Sequence, residues 1–308
     1  MFYKEAELNP NPSVINSTFI NLIKTAEGFE EVVDNTETYL RLKLREEGFF
    51  RKILPPRLIT PAELDRAVDH RSPMKIIDIE PDAPAAVTID FRGGVPTKYV
   101  GAERYAVTFY TISSVEHQYR EPELLTYKAP ITAILKDILD KEIQAAEDRN
   151  FIKACDEAVQ ISGNIVNPAS SNTMPVFTRD DFVNILDKMT EKKLVVDVVL
   201  MPLSMFYHIL KWDFAQLGSE LLKEVVIDGY KYNTLLGKKF VTTNKYEIIG
   251  QKNAYAFTEP KFLGHAFLLD QDVKFQLITE YDLIKFKMWE NIGAGIGNAN
   301  AVVKLTLS

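Results

Sequence analysis

Cysteine is almost absent: Cys155 is the only one in 308 residues. No intramolecular disulfide and no thiolate metal cluster can form, which suits a reducing compartment better than a small secreted scaffold. Long apolar runs are missing too. A membrane-spanning helix takes about 20 predominantly apolar residues, and the best stretch, Leu194 to Leu203, is much shorter and holds Asp197 and Pro202. The first residues, Met1-Phe2-Tyr3-Lys4-Glu5, lack the basic-then-apolar pattern of a secretory leader. A soluble chain without a membrane partner is expected. There is no basic excess either: 36 Lys and Arg stand against 43 Asp and Glu, a formal net charge of −7. Tight, sequence-independent nucleic-acid binding over the whole surface is therefore disfavoured.

Motifs that carry chemistry are missing as well. Gly237-Lys238-Lys239 lacks the upstream glycine of a phosphate-binding loop, because position 232 is Tyr. Gly293-Ala294-Gly295-Ile296-Gly297 imitates a dinucleotide loop, but the next required glycine is Asn298 and the segment sits between C-terminal strands. Its glycines read as a turn or a close approach to a neighbour. His70, His117, His208 and His265 are scattered without metal-ligand spacing. No Gly-x-Ser-x-Gly elbow exists. Asp78, Glu80 and Asp82 are broken by Pro81 and read as charges that discourage wrong strand pairing. Cys155 reads as an inert small hydrophobe on a helix. No catalytic, cofactor-binding or metal residue is assigned, and no enzyme is expected.

What the chain does have is 46% hydrophobic residues, enough for one large or two modest cores, and 26% charged residues. Residues 1–60 read as an arm. Asn9-Pro10-Asn11-Pro12 opens a loop, and Ser13 to Lys24 suits a short amphipathic helix. Residues 1–40 carry two basic and seven acidic groups, whereas 41–57 carry six basic ones against Glu46 and Glu47. Those six are Arg41, Lys43, Arg45, Arg51, Lys52 and Arg57. The stretch is either a solvated face or an arm that lies on a neighbouring subunit or on packaged nucleic acid. Seven of the 15 prolines fall between Pro55 and Pro96, which nearly excludes helix there. Lys75–Glu80, Val87–Phe91 and Tyr105–Ser114 have strand composition around the turn signal Gly93-Gly94 and Pro96. A long hairpin follows, loosely supported by its own chain and suited to rest on a partner.

Ile131 to Ser162 contains no glycine or proline. Ile131, Ile134, Leu135, Ile138, Ala145, Ile152, Cys155 and Val159 recur at helical spacing, with Pro130 suited to the start and Gly163 to the stop. About 31 residues at roughly 1.5 Å each predict a helix on the order of 45 Å long. Residues 164–175 read as a loop and boundary. Thr178-x-x-Asp181 predicts a capped helix presenting Phe182, Ile185, Leu186 and Met189. Leu194–Met201 reads as a buried strand and Ser204–Val225 as helix, with Asp228-Gly229 as a turn. Phe240–Thr243, Glu247–Ile249, Tyr255–Phe257, Ala266–Leu269, Val273–Thr279, Leu283–Trp289 and Ala301–Leu307 read as strands. The tail strands suggest a sheet closing against the long helix.

This order of parts resembles the tailed-phage major capsid family with the Hong Kong 97-type fold. Local stretches add to the resemblance: Glu123-Leu124-Leu125-Thr126-Tyr127 before the long helix, Leu200-Met201-Pro202-Leu203, Leu235-Leu236-Gly237-Lys238-Lys239-Phe240-Val241, and Ala256-Phe257-Thr258-Glu259-Pro260. The resemblance implies an α+β fold with an N-terminal arm over 1–69 and an E-loop hairpin over 70–112. The spine helix with the first part of the P-domain would cover 113–164, the A-domain 165–262, and the closing P-domain strands 263–308. It implies a virion protein, made in the host bacterial cytoplasm, that assembles into hexamers and pentamers of an icosahedral head around double-stranded DNA. Arg92, Gly93, Gly94 and Lys98 would make E-loop contacts with neighbours. Arg41, Lys43, Arg45, Arg51, Lys52 and Arg57 would make arm contacts or weak DNA contacts. The chain starts at Met1 without room for a long scaffolding segment, so a separate scaffolding protein is expected, with a portal and a decoration protein as further partners. Some relatives cross-link a lysine to an asparagine with help from a glutamate, but no position matches that set among Lys98, Glu290, Asn291 and Asn298. The same fold also serves encapsulin-like cargo shells, and the remaining rival is an α/β enzyme with its site in 165–260.

Overall fold

A computed structural model of the chain describes residues 45–66, 73–81, 88–89, 91, 93–94, 97, 101, 103–126, 131–168, 176–209, 212, 234–235, 237–269 and 273–307. Early strands are β1 (Arg57–Ile59), β2 (Asp65–Arg66), β3 (Pro73–Asp78), β4 (Arg104–Ser113) and β5 (His117–Arg120). After the long helix come β6 (Ile165–Val166), β7 (Val196–Pro202), β8 (Thr234–Leu235), β9 (Lys238–Thr243) and β10 (Asn253–Thr258). The last strands are β11 (Gly264–Leu269), β12 (Lys274–Glu280), β13 (Leu283–Ile296) and β14 (Val302–Thr306). The chain forms two compact units. One holds Met1–Phe50, Thr111–Asn150 and Gln271–Glu290; the other holds Arg51–Tyr110, Phe151–Asp270 and Asn291–Ser308.

The long helix runs from Ile131 to Ser162, 32 residues, with the bounds expected from its sequence. Gly163 ends it at φ +66°, donating its N–H to the Val159 carbonyl at 2.9 Å. That left-handed conformation favours glycine because a Cβ would crowd the following carbonyl. The buried stripe differs from the expected one. Ile134, Leu135, Ile138 and Ala145 are only half-buried, whereas Leu139, Ile143, Glu147, Asp148, Phe151, Ile152, Cys155, Ala158 and Val159 are inside. Acidic side chains enter the stripe because backbone donors meet at least one of them there.

In the first unit, those donors come from residues 45–50. Gly48 N–H donates to Gln144 Oε1 at 2.7 Å, and the Phe49 and Phe50 N–H groups both donate to Asp148 Oδ1, at 3.0 and 2.8 Å. The first part of β13 pairs antiparallel with β12 and with β5. Ile284 and Phe286 are buried there, packed with Tyr119, Leu135, Phe275 and Leu277.

The second unit holds a sheet in the order β1-β11-β13-β4-β3-β2 and a second in the order β6-β14-β10-β7-β9-β8. Central β7 is buried almost throughout, flanked by parallel β9 and antiparallel β10. A strand covered on both faces reads as a continuous apolar run, and Val198–Met201 does so. Against it lies the helix Arg179–Glu191, started as expected by a capping box between Thr178 and Asp181. Phe182, Ile185 and Met189 are buried in the same cluster as Val199, Met201, Ala254 and Leu305. That helix ends in a Schellman motif: Leu194 N–H reaches the Met189 carbonyl at 3.2 Å and Lys193 N–H the Thr190 carbonyl at 2.9 Å. The residue in the left-handed position is Lys193, at φ 59°, where glycine is usual. A side chain there costs roughly 1–2 kcal/mol.

Several elements depart from expectation. Glu247–Ile249 lies in a single helical turn, Tyr246–Ile249, because Gly250 at φ +79° returns its N–H to the Tyr246 carbonyl at 2.8 Å and stops the chain locally. Of the expected strand Val87–Phe91, the described residues Thr88, Ile89 and Phe91 are exposed and unpaired by any strand. Strand composition without a hydrogen-bonding neighbour does not make a strand. The helix expected over Ser204–Val225 is seen as Leu203–Ile209; its remainder, and the Asp228-Gly229 turn, lie outside the described residues apart from Trp212. Gly293-Ala294-Gly295-Ile296 is not a connection between strands but the end of β13, paired with β11. Close approach is the reason for glycine here: a Cβ on Gly264 would fall onto the Gly295 carbonyl oxygen, with the Gly297 N and Ile296 Cα also in the way. Every blocking atom is backbone, so nothing can swing aside. Gly264→Ala is expected to destabilise the chain by about 2 kcal/mol or more, read as a lower urea midpoint at unchanged m-value; an unchanged midpoint would contradict this packing.

Candidate inter-subunit surfaces

The hairpin expected over 70–112 has a base and a tip of different character. Its base is held by its own chain, correcting the expectation of loose support. β3 pairs with β4, the Ile79 N–H donates to the Glu103 carbonyl at 2.8 Å, and Arg104 Nε lies 2.7 Å from Asp78 Oδ1. Asp78 is thus an ion-pair partner across the strands and not only an edge charge. Val107 and Phe109 of β4 are buried with Ile59 and Phe267. Toward the tip, every described residue from Thr88 to Gly101 is exposed, Gly93 and Gly94 among them. Phe91 is fully exposed at 108%. A Cβ on Gly94 would touch nothing within 4 Å. Arg92 and Lys98 lie outside the described residues.

The basic stretch 41–57 is less of a free arm than its charge suggests. Arg41 and Lys43 lie outside the described residues. Arg45 Nε sits 3.4 Å from Glu142 Oε1, and Phe49 and Phe50 are 2% and 1% exposed. Arg51 and Lys52 belong to a one-turn helix, Phe50–Ile53, with Arg51 half-buried and Lys52 exposed. Arg57 stands on β1 with its guanidinium 3.8 Å from Glu63. An irregular segment can be buried only if its N–H groups find acceptors, and Gln144 and Asp148 supply them. The signal for this was present: Gln144 and Asp148 stand four apart on the side of the helix that continues into the buried Phe151 and Cys155.

The second unit also holds a groove of about 450 Å³, lined by Leu54, Arg57, Lys75, Asp78, Lys261 and His265 among others. Its charges are largely engaged locally; Lys75 Nζ, for example, donates to the Glu63 carbonyl at 2.6 Å. Tyr105 hydroxyl and His265 Nδ1 share a hydrogen bond. Burial pushes the Tyr105 phenol up to about 12 and the His265 imidazole down, so the pair is neutral at neutral pH. Elsewhere in this unit, Asp156 Oδ1 accepts from the Tyr255 hydroxyl at 2.9 Å and from Lys304 Nζ at 2.7 Å, tying the long helix to β10 and β14. Burial, and then the Asp156 charge, push the Tyr255 phenol up. Cys155 is fully buried and burial pushes its thiol up too, the opposite of an activated nucleophile. Among the described residues, no three or more His, Cys, Asp or Glu side chains are placed to hold a metal. No helix among them is long and apolar enough to cross a membrane.

No protein-family model and no curated protein matches the sequence. Solved structures do match the fold. A structure of Microbacterium phage Oxtober96 is similar at a TM-score of 0.63 and 12% identity, over 88% of this chain and 94% of that one. The capsid structure of cyanophage P-SCSP1u is similar at 0.65 and 11% identity, over 90% and 96%. The asymmetric unit of the bacteriophage PhiM1 mature capsid is similar at 0.57 and 9% identity, over 89% and 91%. The chain has the α+β, Hong Kong 97-like fold of these phage structures.

Proposed function

We propose that this chain is the major capsid protein of a tailed phage, a structural subunit of the virion that assembles with copies of itself. The observation that carries this reading is the near full-length likeness of its fold to chains taken from phage capsids. In this reading 1–69 is the arm, 70–112 the E-loop, 113–164 the spine helix with the start of the P-domain, 165–262 the A-domain, and 263–308 the returning P-domain strands. Hexamers and pentamers close into an icosahedral shell around double-stranded DNA. The tip, whose described residues Phe91, Gly93 and Gly94 are exposed, lies on a neighbouring subunit, where a large aromatic side chain can lose its contact with water, and Arg92 and Lys98 of the same segment are the further contacts proposed. A separate scaffolding protein, a portal and a decoration protein complete the head, which is built in the host bacterial cytoplasm.

Negative-stain microscopy of the purified full chain, alone and co-expressed with its neighbouring genes, tests the proposal. Closed shells of phage-head size support it. Small uniform cages point instead to an encapsulin-like compartment. A chain that stays monomeric at high concentration with its scaffold present overturns it.

A further inference from the structure

Six lysines come together at one end of the six-stranded sheet. Lys188, Lys192 and Lys193 close the helix Arg179–Glu191 and its cap, Lys238 and Lys239 open β9, and Lys261 follows β10. The sheet register unites them: Val198 of β7 lies opposite Lys239, and Val196 opposite Thr258, so the start of β7, the start of β9 and the end of β10 share one edge. Three are paired with carboxylates: Lys188 with Glu191 at 3.1 Å, Lys239 with Asp197 at 3.9 Å, and Lys261 with Glu259 at 2.5 Å. Among the described residues, no carboxylate lies within 4.0 Å of Lys192, Lys193 or Lys238. Lys192 and Lys193 are exposed, Lys238 is half-exposed, and the apolar Val195 beside them is 68% exposed.

A cation at a helix C-terminus complements the helix dipole, and Lys188 and Lys192 satisfy that need. Lys193 is different. It occupies the left-handed position of the Schellman motif, at φ 59°, where glycine would fold with less strain. The chain keeps a charge where its backbone would do better without a side chain, and Lys238, on a different element, extends the same patch.

We infer that this lysine cluster is a contact surface for the phosphate backbone of duplex DNA. The patch is positive on a chain of net charge −7, so it is a place where the field favours a polyanion over the rest of the surface. Lysines are point charges on flexible stems rather than planar forks, which suits phosphates met at variable positions and no particular base sequence. The stretch 41–57, the more obvious basic segment in the sequence, has Arg45 and Arg57 facing Glu142 and Glu63 instead. That the DNA is the packaged genome rests on the capsid reading; the affinity of the cluster for duplex phosphate does not.

The test is fluorescence anisotropy of the full-length chain with a short labelled duplex at low salt, comparing wild type with Lys192→Gln/Lys193→Gly/Lys238→Gln. The triple variant is expected to bind about ten-fold more weakly, with a salt slope shallower by about two to three. It should melt at the same or a higher temperature, because Lys193→Gly relieves strain. Arg45→Gln/Arg57→Gln should bind nearly as wild type. Acetylation of the wild-type chain gives an independent readout: Lys192, Lys193 and Lys238 should be protected by the duplex. Wild type that does not bind at low salt, a triple variant within two-fold of wild type, or a larger loss from the arginine pair overturns the inference. Loss of shells in the microscope with this binding retained would sink the capsid reading and leave the cluster standing.

Discussion

Replacing residues 87–101 with a short Gly-Ser linker is expected to leave helix content and melting temperature nearly unchanged and to abolish shell formation. All described residues from Thr88 to Gly101 are exposed, and none belongs to a buried cluster. The strands below close on themselves through the Ile79–Glu103 hydrogen bond and the Asp78–Arg104 pair, so the linker joins two ends already held together. Loop length itself has a small effect, about 0.6 kcal/mol for each doubling. Assembly is another matter. A fully exposed phenylalanine on a loop tip buries no apolar area in its own chain, and an aromatic anchor at an interface commonly contributes about 2 kcal/mol or more. A shell repeats that contact in every subunit. Circular dichroism and microscopy on the same preparation separate the outcomes: normal shells from the linker variant, or a chain that no longer folds, would show that the tip is not an inter-subunit element.

Asp148→Ala should have the opposite profile, with a loss of stability of about 2–5 kcal/mol. One buried carboxylate oxygen accepts from both Phe49 and Phe50, so its removal strands two N–H groups next to side chains that are 1–2% exposed. That is a large share of the roughly 5–15 kcal/mol that holds a typical domain together. Asp148→Asn keeps a carbonyl oxygen in the same place and should lose less than half as much. Urea unfolding of both variants, followed by tryptophan fluorescence, tests this. A shift below about 1 kcal/mol for alanine, or equal losses for alanine and asparagine, would mean that the two hydrogen bonds do not hold residues 48–50 on the helix.

How much of this was legible beforehand depended on whether the signal was local. The long helix has the bounds read from its sequence, and it ends where Gly163 puts it, because glycine acts on its own dihedral angles. The capping box at Thr178, the buried run of β7 and the strands Arg104–Ser113 and Asn253–Thr258 were legible for the same reason. At the candidate surface, Gly93 and Gly94 are exposed, and the charge of 41–57 was plain from composition.

Residues distant in the chain decided everything else. Which sheet a strand joins is invisible to its own composition: β11 and β14 are both apolar tail strands, yet β11 pairs with β13 and β14 with β10. That Asp148 would be buried depended on donors nearly a hundred residues away, and whether Arg45 and Arg57 were available depended on Glu142 and Glu63. The lysine cluster shows the division most clearly. The doublets Lys192-Lys193 and Lys238-Lys239 can be read by anyone, but two pairs of like charges 45 residues apart mean little until the parallel register of β7 and β9 brings them to one edge. Local conformation follows from short-range sterics that each residue carries with it; the surface that meets a partner is assembled by long-range pairing, which no single stretch encodes.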